Sequence, residues 1–224
     1  MVHCKQSIRT LAKIDNCVRN VNLKKNVQSN MVKISTSQIV ATSHMLTDEY
    51  YFWCSEINEP PKLHRKQWEY YFILKVLKDN NLLQEGKHGI GFGVGKEPLP
   101  STMAKYKVST LVSDMDHDSA VEKGWMESQF STSMDDLHRK NICSRECFNH
   151  YVKTRIIDMN DIPNDIGPVY DFTWSSCAFE HLGNLEKGLQ FVRNSLDVLK
   201  PGGIAIHTTE YNVSSNTETM DEGP

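Results

Sequence analysis

Four glycines stand at every second position in the run Gly89-Ile90-Gly91-Phe92-Gly93-Val94-Gly95, and two carboxylates follow it: Asp114 after the apolar stretch Val108 to Val112, and Asp158 after Arg155-Ile156-Ile157. Glycine is wanted where backbone must turn sharply or come into contact with a ligand, because a β-carbon would collide. Asp114 lies 114 − 95 = 19 residues beyond the last glycine. A carboxylate about 20 residues past such a turn, at the end of the second strand, is where a ribose diol is held. Asp116 is the reserve for that role. Three other residues could move a proton near neutral pH, namely His181, His207 and Glu210, with imidazole the natural choice.

Each of these residues also has a plainer explanation. A dinucleotide fingerprint requires G-x-G-x-x-G, with the pyrophosphate at a helix N-terminus. Here position 96 is Lys96 and the pattern is G-x-G-x-G, which suits a nucleoside ligand without a pyrophosphate. Glycine-rich turns also occur for purely structural reasons. Asp114 could equally open a solvated loop, His181 could bond backbone at a helix start, and His207, inside an apolar strand, fits core packing at least as well as catalysis.

Along the chain, short apolar runs alternate with helical stretches, the pattern of a parallel sheet with crossovers. Strands are predicted near 88–92, 108–113, 153–157, 169–175 and 203–208. Trp68, Phe72 and Val76 share one face of a predicted helix from Leu63 to Leu77, which Asp79-Asn80-Asn81 would end. A second helix is predicted over 185–199, where Leu185, Leu189, Val192, Leu196 and Leu199 form one stripe at helical spacing. Asn184 can cap its start and Pro201-Gly202-Gly203 would stop it. Residues 1–46 are polar and weakly periodic, a loose lead segment, 47–84 a helical preface, and 85–224 the core.

At 224 residues the chain can bury one sizeable core. A formal net charge of −3, from 25 basic and 28 acidic residues, offers none of the basic surface that phosphate backbones attract, so no nucleic-acid partner is expected. No apolar run of about 18 residues spans a membrane, and Met1 to Ser7 lacks the charged and apolar regions of a signal peptide. A cytoplasmic protein with six thiols is the simplest reading. Cys143, Cys147 and His150 could share a helical face, and Asp114, Asp116, His117 and Asp118 cluster in sequence. Three soft ligands without a fourth are weak grounds for zinc, and a ribose-binding acid explains the second cluster, so no metal is expected.

Taken in order, the glycine turn, the acid after the second strand, Asp158-x-x-x-Ile162-Pro163, the strand from Tyr170-Asp171-Phe172, His181-Leu182 and Leu199-Lys200-Pro201-Gly202-Gly203 resemble the class I S-adenosylmethionine-dependent methyltransferases. The likeness covers roughly 86–212. It implies an α/β fold, a Rossmann-like three-layer sandwich with a mostly parallel sheet and helices on both faces. It further implies that Gly91, Gly93 and Gly95 pack on the methionine portion of S-adenosyl-L-methionine, that Asp114 takes the ribose, and that Asp158 with the Met159 backbone faces adenine. In such proteins a helical preface often forms a lid.

Two departures stand out. The family places an acid two residues before the first glycine of G-x-G-x-G, where this chain has Gly89, so the donor's amino group would be held by Glu97 or the preface. The family's sheet also continues past the fifth strand, so a core incomplete at its C-terminus, with an exposed edge, is expected. The resemblance implies methyl transfer to a small-molecule acceptor, with a hydroxyl as one acceptor type. The alternatives are a non-catalytic module for the donor or its product, and, disfavoured by Lys96, a nicotinamide oxidoreductase.

Overall fold

The computed structural model describes residues 37–115 and 133–211, all within the compact unit that begins at Thr36. Asp116, and with it most of the Asp114–Asp118 cluster, lies outside the described residues. The strands are β1 (His88–Gly91), β2 (Ser109–Asp114), β3 (Val152–Ile156), β4 (Tyr170–Ser176) and β5 (Leu199–Thr208), and the helices α1 (Asp48–Glu56), α2 (Arg65–Asp79), α3 (Leu99–Lys105), α4 (Met134–Leu137), α5 (Arg145–Tyr151) and α6 (Leu185–Asn194).

All five strands are parallel and lie in the order β3-β2-β1-β4-β5. The chain therefore builds outward from β1 through β2 to β3, crosses back to β4 on the other side of β1, and ends at β5. Right-handed crossovers taken in opposite directions put α3 and α6 on opposite faces of the sheet. This is the expected Rossmann-like α/β arrangement. A sheet covered on both faces buries its strands, which here contribute Ile90, Val112, Phe172, Trp174 and Ile206 to the core.

The glycines of β1 have a packing explanation. Gly89 pairs with Phe172 and Gly91 with Trp174 in the register of β1 on β4. A β-carbon on Gly89 would fall 2.2 Å from the Phe172 ring, and one on Gly91 would fall 2.3 Å from the Trp174 ring. Each aromatic ring thus occupies the space that a side chain on its neighbour would take.

The preface helix α2 starts at His64, whose Nδ1 accepts the Lys66 N–H, and ends at Asn80 as expected. Tyr71, Ile73, Leu74 and Leu77 are buried on it. One buried carboxylate docks the helix on the sheet: Glu69 accepts hydrogen bonds from Arg65 at 2.9 Å, Ser176 Oγ at 3.2 Å and Thr208 Oγ1 at 3.1 Å. The last two donors stand at the carboxyl ends of β4 and β5, so α2 sits over the end of the sheet where ligands collect. In the predicted lead segment, Thr42–Leu46 forms a 3-10 turn.

Two expectations about the last βαβ unit are corrected. Asn184 does cap α6, its side chain accepting the Lys187 N–H at 2.9 Å, but the helix ends at Asn194 rather than 199. Its buried residues are Gly188 and Phe191, and its C-cap Ser195 is buried too, each one position ahead of Leu189, Val192 and Leu196. One residue is about 100° of helical rotation, so Leu185, Leu189 and Leu196 turn away from the sheet, while Val192 stays partly buried against the core. Leu185, Leu189 and Leu196 are 47%, 51% and 50% exposed. The close approach of Gly188 to the Phe179 carbonyl, 2.9 Å from where a β-carbon would stand, sets this rotation. Pro201-Gly202-Gly203, expected as a helix stop, lies within β5 instead. Between the pairs Tyr170↔Leu199 and Phe172↔Ile204, β5 advances 204 − 199 = 5 residues while β4 advances 172 − 170 = 2, so three extra residues bulge out there.

Candidate functional site

The strand order reverses between β1 and β4, and in open α/β sheets the crevice at such a switch point, outside the carboxyl ends of the strands, is where ligands bind. A cavity of about 340 Å³ occupies that place, within the range of small-molecule sites. Its wall is formed by the turn after β1 (Gly93 to Glu97), the end of β2 (Asp114, Met115), the segment after β3 (Ile157 to Met159), the end of β4 and the turn beyond it (Ser176 to Ala178, His181, Leu182), and two residues of α2, Lys66 and Tyr70.

The turn after β1 is shaped by backbone. Gly93 has φ +59 and Gly95 φ +55, a left-handed conformation that other residues adopt at a cost. A β-carbon on Gly93 would stand 2.8 Å from Ala178 Cβ and 3.0 Å from Met159 Sδ, so the glycine keeps this side of the cavity open. Val94 N–H donates to the Ser113 carbonyl at 3.1 Å, and Ser113 Oγ donates back to the Gly91 carbonyl at 3.0 Å, which staples the turn to β2.

Asp114 completes that staple. Its carboxylate accepts the Gly95 N–H at 3.0 Å and the Met115 N–H at 2.9 Å. A carboxylate has about four acceptor sites, so these bonds are compatible with receiving hydroxyls from a ligand. Asp158 accepts the Asn160 N–H at 2.8 Å through Oδ1, a local turn that leaves its carboxylate exposed. Met159 beside it is buried.

The predicted site residues thus divide. Gly93, Gly95, Asp114, Asp158, Met159 and His181 line one cavity. Gly91 does not, being fully taken up by packing under Trp174. His207 does not either: its Nδ1 lies 2.8 Å from Ser175 Oγ and its Nε2 3.0 Å from Ser195 Oγ, with the Phe179 and Phe191 rings edge-on. Burial pushes its pKa down to about 4. It is a neutral bridge between β4 and the end of α6, which accounts for its place in an apolar strand. Glu210 is exposed and ion-paired with Arg65 outside the cavity wall. Among the described residues, no group of three His, Cys, Asp or Glu is arranged to hold a metal, and Cys143, Cys147 and His150 form no such group.

Lys66, Tyr70, Ser176 and Cys177 join the wall without a sequence signal of their own. Lys66 Nζ donates to the Ser176 carbonyl at 2.7 Å and to its Oγ at 3.1 Å, so α2 contributes a cation to the cavity. Cys177, at φ +54, is pinned to β5 by N–H bonds to the Thr208 carbonyl and hydroxyl. Burial, with Glu180 next in effect, pushes its thiol up to about 12, which favours the protonated form. Glu97 is 3% exposed, and burial raises its carboxyl to about 8. Trp174 Nε1 donates to its Oε2 at 3.4 Å, while Oε1 has no hydrogen-bond partner.

No protein-family model matches the chain, and no curated protein matches it. Solved structures share part of the fold. One is named as a sarcosine dimethylglycine methyltransferase from Galdieria sulphuraria, 20% identical over 65% of this chain and 46% of that one, with a TM-score of 0.44. Another is the glycopeptide N-methyltransferase MtfA complexed with sinefungin, 10% identical over 59% and 47%, TM-score 0.43. A third is the [4+2]-cyclase SpnF, 17% identical over 62% and 45%, TM-score 0.41. The chain spans about half the length of these structures. Likeness at this level is one of fold, and the chemistry of the cavity rests on its own residues. No described helix is long and apolar enough to cross a membrane.

Proposed function

We propose that the chain binds S-adenosyl-L-methionine in the cavity at the carboxyl ends of β1 to β4 and transfers its methyl group to a small-molecule acceptor. The observation that carries this is the convergence of Gly93, Gly95, Asp114, Asp158 and Met159, spread over 67 positions (159 − 93 + 1), on one cavity wall.

The residues present fit the donor. The left-handed turn at Gly93 and Gly95 keeps backbone close to the ligand without side-chain interference, and filling Gly93 with a β-carbon would close that side. Asp114, held by two backbone N–H groups, is oriented to accept the ribose hydroxyls. Asp158 offers its exposed carboxylate to the adenine amino group, and the buried Met159 supplies apolar surface beside the base. The bound sulfonium would supply an electrophilic methyl carbon. The chain's own task is then to align the acceptor and, for a hydroxyl acceptor, to take its proton. Of the three candidate bases, His181 is the one on the cavity wall.

Calorimetric titration with S-adenosylmethionine, S-adenosylhomocysteine and NAD tests this. Micromolar binding of the first two alone supports it, and binding of NAD alone would replace it with nicotinamide chemistry. Donor binding without turnover on any acceptor would make the chain a binding module.

A further inference from the structure

The cavity wall carries three carboxylates, and they are not equivalent. Asp114 is engaged by the turn after β1, and Asp158 by its own turn. Glu97 lines the cavity but is itself enclosed, fixed on one side by the Trp174 indole, with its Oε1 buried and without a hydrogen-bond partner. A buried acceptor left unsatisfied costs stability, and its presence at a cavity wall points to a ligand group that completes it.

The strand order says which part of a ligand that would be. Asp114 and Asp158 follow β2 and β3, on one side of β1, whereas Glu97 shares the wall with Ser176 at the end of β4 and with Lys66 and Tyr70 of α2, on the other side. A nucleoside held by the first pair would extend its opposite end across the Gly93–Gly95 turn toward Glu97. No carboxylate can stand at position 89, since the Phe172 ring fills the space of a side chain there. Glu69 is already used by Arg65, Ser176 and Thr208, and Glu180, whose carboxylate oxygens are also buried, does not line the cavity.

We infer that Glu97 accepts the α-ammonium group of the ligand's amino-acid end, an inference that rests on the donor assignment above. The residue is positioned by Trp174, whose ring packs against Gly91. A cation brought to Oε1 supplies both the missing donor and the charge that a buried carboxylate needs. Lys66, whose ammonium is anchored on Ser176, stands on the same wall to balance the α-carboxylate.

The test is a four-way calorimetric comparison of the wild type and Glu97→Gln, each titrated with S-adenosylhomocysteine and with its analogue lacking the α-amino group. The wild type is expected to prefer the amine-bearing ligand at least tenfold, and the variant to lose that preference while binding the analogue within about twofold of wild type. Equal wild-type affinity for the two ligands overturns the inference whatever the variant does, and so does a preference that survives in a folded variant. If the wild type binds neither nucleoside, the donor assignment itself falls and the inference with it.

Discussion

The carboxylate of Asp114 receives the backbone N–H of Gly95 at 3.0 Å, tying the end of β2 to the turn that leaves β1. The residue proposed to hold the ligand therefore also builds the turn beside it. Asp114→Ala should remove both roles, costing about 1.5–3 kcal/mol for the lost charge-assisted bonds and at least tenfold in donor affinity. Asp114→Asn keeps an oxygen for one N–H and should recover most of the stability but not the affinity. Thermal melts beside calorimetry separate the two; equal affinity in all three proteins removes Asp114 from the site.

Gly91 should behave as a packing residue. Gly91→Ala forces a β-carbon into the Trp174 ring, an overpacking that costs typically ~1–3 kcal/mol or more. Combined with Trp174→Leu, the penalty should be smaller than the sum of the two single changes, because the ring that is struck has gone. Urea unfolding of the four proteins of the cycle measures this, and strict additivity would contradict the contact.

His207 predicts an acid limb of stability. Its folded pKa of about 4 lies below the ordinary value of 6.5, so the unfolded chain binds a proton between those pH values that the folded chain does not. Stability should therefore fall as pH drops from about 6.5 to 4. His207→Gln should flatten that limb and, by disturbing the bonds to Ser175 and Ser195, cost about 1–3 kcal/mol at pH 7. Denaturant melts across the window give the slope; the same slope in both proteins rules out this histidine as its source.

Glu97 predicts the opposite slope at higher pH. Burial raises its carboxyl from 4.5 to about 8, so between these values the folded state holds a proton that the unfolded state releases, and stability declines as pH rises through the window, by up to ~1.4 kcal/mol per pH unit. Glu97→Gln carries no such charge and should be the more stable protein at pH 8 without ligand. A wild type as stable as the variant at pH 8 would mean that the carboxylate is compensated.

The orientation of α6 can be checked by two sets of substitutions. Leu185→Ser, Leu189→Ser and Leu196→Ser fall on exposed positions and should each cost less than about 0.5 kcal/mol. Phe191→Ala, on the buried face, should cost about 3–5 kcal/mol. Reversal of that order would restore the leucine stripe to the core.

Why some of this was legible in the sequence and some was not follows from range. Strand ends are marked locally, by an apolar run giving way to an acid, and parallel strands deliver their ends to one rim. Asp114 could therefore be placed from spacing, and Asp158, at another such strand end, from the family resemblance. Gly91 could not be separated from Gly93, because the difference lies in what faces each across the sheet. The signal was present in a second place, Phe172 and Trp174 at the same two-residue spacing as Gly89 and Gly91, but it needed the β1–β4 register to be read. In α6 the leucines carry more apolar area than Gly188 and Phe191, and periodicity weighs area. The close backbone approach that only Gly188 permits leaves no trace in such a count. Lys66 and Tyr70 reach the cavity through the docking of α2 by Glu69, a contact across more than 100 positions that no local pattern encodes.

The rings over Gly89 and Gly91 also constrain how this protein can change over generations. An acid at position 89 is inaccessible by a single step while Phe172 stands opposite, and removing Phe172 first leaves a void worth several kcal/mol beneath a bare strand. Both orders of substitution pass through a damaged intermediate. The pair is therefore locked from both sides: a carboxylate at 89 requires both residues to change together, and neither change is neutral alone.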